Sequence, residues 1–419
     1  MTDKPRQLIT DFKNGGWQTP NLYERLFDLT SNSTDTFYFA TEYLNSFDKN
    51  ATIFNDILSY IKKSQFADLI NLALGILKRQ KNENAESVIE YASLQFPELL
   101  HNDLELIFDL KPNESTFYAN YPWRNLDSDR IQFFKAKFSS SETDITDKQK
   151  LFRCLLETRN LETITFAYDY ALNNRLFDKE YLEDYLLAHL ELVGFTKRNG
   201  KIEDYCQSIA RHFSFNNNYF SNDRPIHINK KQHPTWNLKA DETKYKFGGI
   251  LQDDDKNPFI HLVTFDKIPH GLKISELSSL TLGMHIRELN ECGAVFYQHD
   301  IFGKPSKIGE PKDIEIYSDL PIKETEISFT ETPNRWAFQS WGSSNSRENL
   351  FRLGGEPTWI QSAEVLVCPI SNEKMDFLMQ LDTDLPNIEN GELYFGSGGI
   401  CYAFWCDNTK VSGYIMQCT

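Results

Sequence analysis

The chain has no run of 18 apolar residues, so no membrane-spanning helix is expected. No apolar core follows the charges of Met1-Thr2-Asp3-Lys4-Pro5-Arg6-Gln7, so no secretory signal is expected and the chain reads as cytoplasmic. Positive charge is also in short supply. Lys and Arg number 44 against 60 Asp and Glu, for a formal charge of −16. Such a chain repels phosphate backbones, which argues against nucleic acid and suits a basic protein partner. The deficit is uneven: −7 over residues 1–200, +3 over 201–250 and −12 over 251–419. The seven cysteines are an odd number in a long chain, so they read as thiols or metal ligands rather than a disulfide framework.

Several catalytic signatures are incomplete or missing. A zinc ribbon needs two C-x-x-C pairs, but Cys368-Pro369-Ile370-Ser371 and Cys406-Asp407-Asn408-Thr409 each end in a hydroxyl. A hydroxyl is a poor substitute for a thiolate on zinc. Cys368, Cys401, Cys406 and Cys418 remain near the C-terminus and could still converge on one zinc; alternatively they are buried thiols acting as small hydrophobes. Nothing in the spacing of Cys292 with His261, His270, His285 and His299 marks a nucleophile with its base. Ser343-Ser344-Asn345-Ser346 lacks the glycines of a nucleophile elbow. Gly396-Ser397-Gly398-Gly399 has no Lys-Ser or Lys-Thr after it and reads as a hairpin turn rather than a phosphate cradle. Asp253-Asp254-Asp255 reads as a solvated loop, and Asp382 with Asp384 supplies too few oxygens for a calcium loop.

What is present divides the chain in two. Aromatic residues make up 14%, with 31 Phe and 19 Tyr, enough for packed cores. Residues 1–215 read as successive helices. Phe37, Phe39, Ala40, Tyr43 and Leu44 share a face, as do Ile53, Ile57, Leu58 and Ile61, then Leu69, Leu72, Ala73 and Ile76. Spacings of three and four are the helical period. It continues over 82–96, 98–110, 127–138, 148–157, 160–173, 179–193 and 201–213, often after Thr, Asn or Asp caps. Helix pairs recurring every 30–40 residues predict an all-α, solenoid-like domain of helical hairpins, although no strict repeat consensus is present. A polar, locally basic stretch at 216–238 reads as a linker.

Residues 239–419 change toward a period of two. Strands are expected at 259–265, 294–297, 314–317, 364–367, 393–395 and 401–405, with one short helix at 275–280. This predicts an α+β domain of mostly antiparallel strands. Trp336, Trp341, Trp359, His261 and Asp382 are its candidate ligand-binding residues, although dense tryptophans equally make a β-core.

The same half carries an ordered set of short motifs. They are Phe247-Gly248-Gly249, the His261–Phe265 strand, Leu353-Gly354-Gly355-Glu356-Pro357-Thr358-Trp359-Ile360-Gln361, Cys368-Pro369, Met375-Asp376-Phe377-Leu378-Met379-Gln380-Leu381, Phe404-Trp405-Cys406 and Gln417-Cys418. In this order they resemble the YwqG-like family of bacterial domains of unknown function, over about 240–419. The resemblance implies a cytoplasmic α+β domain and no established reaction. Some relatives look like companions of secreted toxin systems, which hints at an immunity role. Relatives often complete C-P-x-C, and this chain departs from that at Ser371 and Thr409. Three readings follow: a non-enzymatic protein-binding protein, in its sharpest form an immunity protein against a basic toxin domain; a ligand binder or enzyme with a C-terminal pocket; or an adaptor with a degenerate zinc site. No cofactor other than that zinc is expected.

Overall fold

The structure, a computed structural model, describes residues 2–49, 52–110, 121–124, 126–220, 233–252, 258–309, 321–344 and 347–419. The chain forms two compact units, Met1–Val193 and Gly194–Thr419.

The first unit is helical. Its helices are α1 (Lys4–Gly15), α2 (Leu22–Leu29), α3 (Ser33–Ser46), α4 (Thr52–Leu58), α5 (Lys63–Leu77), α6 (Glu83–Gln95), α7 (Leu104–Asp109), α8 (Ser128–Ser139), α9 (Ile145–Glu157), α10 (Leu161–Asn173) and α11 (Leu182–Leu192). Five begin where a short polar side chain accepts the N–H groups that a helix start leaves free. Asn32, Asn82, Asp127, Asp144 and Asn160 fill this role for α3, α6, α8, α9 and α10. The helices pack chiefly on neighbours one or two along the chain, such as α5 on α6 and α9 on α10. The apolar stripes read from the sequence are the buried faces: Phe39, Ala40 and Tyr43 on α3, Leu69 and Ala73 on α5.

The second unit is built on antiparallel strands. In chain order they are β1 (Phe195–Arg198), β2 (Lys201–Asp204), β3 (Ala210–Phe215), β4 (Tyr245–Phe247), β5 (Ile250–Gln252), β6 (Phe259–Phe265), β7 (Leu280–Met284) and β8 (Ala294–His299). Then come β9 (Pro305–Lys307), β10 (Thr325–Glu331), β11 (Arg352–Gly354), β12 (Asp376–Asp382), β13 (Leu385–Pro386), β14 (Glu392–Leu393), β15 (Ile400–Cys406) and β16 (Val411–Gln417). Twelve of them form one sheet in the order β5-β6-β4-β10-β3-β11-β12-β15-β16-β8-β9, with β7 also on β6. The sheet curls until its ends meet, where Thr281 N–H in β7 donates to Gly303 O in the β8–β9 turn. One core fills the inner face, with Phe213, Phe247, Leu262, Phe329, Leu353, Met379, Trp405 and Tyr414. A second core covers part of the outer face, with Tyr205, Leu366, Phe377, Tyr402, Phe404 and Ile415.

Several expectations are corrected. Residues 201–213 hold β2 and the start of β3, with an irregular link at 205–209, and the helical unit ends at Val193 rather than at 215. Ile202, Tyr205, Ile209 and Phe213 do show helical spacing. The decision is long-range, because β3 fills the slot between β10 and β11 and satisfies backbone groups on both sides. Residues 275–279 are irregular, and Leu280 opens β7 instead of closing a helix. Of 364–367 only Val367 pairs, in an isolated bridge to Lys374. Gly396–Gly399 is a turn into β15, but the preceding β14 pairs with β13, so it closes no hairpin. Residues 221–232 of the expected linker, the expected strand 314–317 and Asp253–Asp255 lie outside the described residues.

Candidate functional site

A row of buried polar side chains crosses the outer face of the sheet. Thr330 of β10 lies opposite His212 of β3, His212 opposite Arg352 of β11, Arg352 opposite Gln380 of β12, and Gln380 opposite Tyr402 of β15. Strand alternation explains the row: Phe213, Phe351, Leu353, Met379 and Leu381, one position away, enter the inner core. The polar partners fall on the other face, where residues 333–344, 347–349 and 355–360 cover them.

Arg352 is the centre of the row and is fully buried. Its guanidinium donates to the carbonyls of Trp336, Gly354 and Glu356, to Gln339 Oε1, and to Thr358 Oγ1 and Gln380 Oε1, the last two at 3.2 Å. Gln380 Oε1 also accepts Thr358 N–H at 2.9 Å, while Gln380 Nε2 donates to Leu350 O at 2.9 Å. Tyr402 extends the chain of contacts by donating to Thr358 O at 2.7 Å. The glycine pair is required here. Gly354 and Gly355 have φ of 68° and 69°, and a Cβ on Gly355 would sit 2.9 Å from Arg352 Nε and 2.8 Å from Ala337 O.

Gln339 links Arg352 to a second buried charge. Its Nε2 donates to Glu348 Oε2 at 3.0 Å, and Ser344 Oγ donates to the same oxygen at 2.7 Å. Trp336 Nε1 donates to Glu348 Oε1 at 3.3 Å, with Arg335 Nη2 and His233 Nε2 each 3.8 Å from it. Burial alone would push the Glu348 carboxyl up, but the Arg335 guanidinium and the donors around it hold it below the usual range. The imidazoles stay neutral. Burial takes His212 down to about 3 and His233 to about 4, against a partial rise from Glu348. The arrangement clamps the covering segment onto the sheet, with each charge matched by fixed dipoles.

The five proposed ligand-binding residues do not assemble as a group. Trp336 lies in the Glu348 network. Trp359 stacks over Tyr402 at 4.7 Å and Phe404 at 6.3 Å, and with Trp341 it packs on the outer core. The indole N–H groups of Trp341 and Trp359 are buried with no acceptor among the described residues. His261 lies apart on β6, its Nδ1 2.6 Å from Gly248 O and its Nε2 2.8 Å from Thr264 Oγ1. Burial pushes its pKa down. Asp382 ends β12 and accepts Thr383 N–H at 2.9 Å. His299 is also a buried clamp, between Gly303 O at 3.1 Å and Ser412 Oγ at 2.9 Å.

The four proposed metal cysteines do not converge either. Cys401 and Cys406 are five residues apart on β15, and alternation sends them to opposite faces. Cys401 packs 4.0 Å from Met284 Sδ in the inner core, where burial pushes its thiol up. Cys418 follows the end of β16 that pairs with Ile400, whereas Cys406 pairs at the other end. That separation is roughly 20 Å at about 3.4 Å per residue. Among the described residues no group of three or more His, Cys, Asp or Glu could hold a metal ion. Cys368 and Cys406 do share the outer core.

The residues missed by sequence reasoning are His212, His233, Gln339, Glu348, Arg352 and Gln380. Two had a legible signal: Arg352 and Gln380 interrupt otherwise apolar runs of sequence, 350–353 and 377–381. No family model, curated protein or solved structure matches the chain. Among the described residues no helix is long and apolar enough to cross a membrane.

Proposed function

We propose that the chain is a non-enzymatic protein-binding protein with a YwqG-like second unit, and that its partner is a basic protein domain. An immunity protein that neutralises a toxin is the sharpest form of this reading. The observation that carries it is the charge, −16 overall. Complementary charge speeds encounter and selects the partner. The helical unit, built from helices packed on near neighbours, supports the reading because such stacks present extended surfaces to proteins.

The test uses the tagged full-length chain, recovered from its source organism at low salt. One basic protein should co-purify in equal amount and dissociate near 1 M salt, where screening is complete within about 3 Å. Co-expression should restore growth to cells producing that partner. Recovery of no stoichiometric partner overturns the binding reading, and a partner without growth rescue removes the immunity form.

The indole N–H groups of Trp341 and Trp359, without an acceptor among the described residues, favour a second reading, a small ligand with acceptor atoms seated on the outer core. Thermal shifts with nucleotides, sugars and carboxylates test it, since a ligand at a hundredfold excess over Kd stabilises by about 2.7 kcal/mol. A flat response removes it.

A further inference from the structure

The two incomplete C-x-x-C segments meet in space. Cys368-Pro369-Ile370-Ser371 is a turn closed by Cys368 N–H donating to Glu373 O at 2.8 Å and Asn372 N–H donating to Cys368 O at 2.9 Å. Cys406-Asp407-Asn408-Thr409 begins the turn from β15 into β16, just after Cys406 pairs with Val411. Each turn carries a sulfur at its first position and a hydroxyl three residues on. The pairs cross: Cys368 Sγ lies 3.2 Å from Thr409 Oγ1, and Ser371 Oγ lies 3.5 Å from Cys406 Sγ. Four side chains from two turns therefore converge at one place.

We propose that these paired turns bind one soft, thiophilic d10 cation of the Cu(I) class, with Cys368 and Cys406 as the two anionic donors. Ser371 and Thr409 close the remaining two corners as neutral oxygens. Zinc prefers four nitrogen, sulfur or carboxylate donors, and two hydroxyls do not complete that set. A soft monovalent ion is satisfied by two thiolates, and soft ligands select for it. Both sulfurs are buried, yet Ile370 in the covering turn is 49% exposed, so the site lies one residue beneath the surface, within reach of a small ion. This inference is independent of the protein-binding reading.

The experiment titrates the reduced full-length chain with Cu(I) in competition with bicinchoninate. One Cu(I) per chain should be withheld from the chelator. In the same wild-type sample the ion should protect Cys368 and Cys406 from alkylation and leave Cys418 reactive. Cys368→Ser and Cys406→Ser should each abolish retention, and Cys418→Ser should not. Thr409→Ala should weaken retention about tenfold, as loss of a supporting group does at metal sites. Ser371→Cys with Thr409→Cys completes four sulfurs and should gain one firmly held zinc per chain. Complete loss of copper from the wild type to the chelator overturns the proposal, as does equal retention by the Cys368→Ser/Cys406→Ser variant. Failure of the four-sulfur variant to take up zinc overturns the convergent geometry.

Discussion

Arg352→Met is the most direct test of the buried row. Methionine keeps a long unbranched stem in the same space and removes every donor. Arg352 serves six acceptors, three of them the backbone carbonyls of Trp336, Gly354 and Glu356. Replacing a buried charge by an apolar group can be neutral when its partners are replaced as well. Backbone carbonyls cannot be replaced, so here they stay buried without a donor. A hydrogen bond to a charged group contributes about 1.5–3 kcal/mol, and such contributions do not add within one network. Breaking a buried charged network costs about 3–5 kcal/mol, which is the expected loss. Urea unfolding of the full chain should show it as a lower midpoint for the sheet unit. Hydrogen exchange should show faster opening of residues 333–344 and 347–359, which Arg352 holds down. Lys267→Met, at an exposed position, is the control and should change stability by less than about 0.5 kcal/mol. A loss of under about 1 kcal/mol for Arg352→Met would refute the clamp.

Three further outcomes are expected. Gly355→Ala combines a φ of 69° with contacts at 2.8 and 2.9 Å, and should cost about 2–4 kcal/mol, whereas Gly398→Ala, at φ 63° with open space around it, should cost about 1 kcal/mol. Equal losses in urea unfolding would contradict the role given to the Gly-Gly step. Burial lowers the pKa values of His212, His233 and His299 to about 3, 4 and 4, against about 6.5 unfolded. The unfolded chain then binds protons that the native one refuses, so stability should fall as pH drops from about 6.5 toward 4, by up to about 3 kcal/mol per histidine. A sheet-unit midpoint that stays constant between pH 7 and 5 would show that these rings are not buried neutral. Asn82→Ala removes the cap accepting Ala85 N–H at 2.8 Å and the donor to Phe47 O, and should destabilise the helical unit by about 1–2 kcal/mol in thermal unfolding.

The sequence by itself determined what is local. Helices α3, α5, α6, α9 and α10 follow from apolar spacings of three and four, and all but α5 also from Asn or Asp caps that act within one turn. Strands β6, β8 and β15 follow from short β-branched and aromatic runs between turns. The sequence also placed the two Cys-x-x-hydroxyl segments at metal-knuckle spacing. Tertiary structure decided everything that depended on a distant partner. The spacing of Ile202, Tyr205, Ile209 and Phe213 suits a helix, but β3 pairs with strands more than 100 residues away, and those ladders outweigh a local preference. Which cysteines share a site was equally illegible. Strand alternation put Cys401 and Cys406 on opposite faces, and the strand register set Cys418 at the far end of the hairpin. The fold instead brought Cys368 to Thr409 and Ser371 to Cys406, because the turn bearing Cys368 and the turn leaving β15 lie against the same outer core.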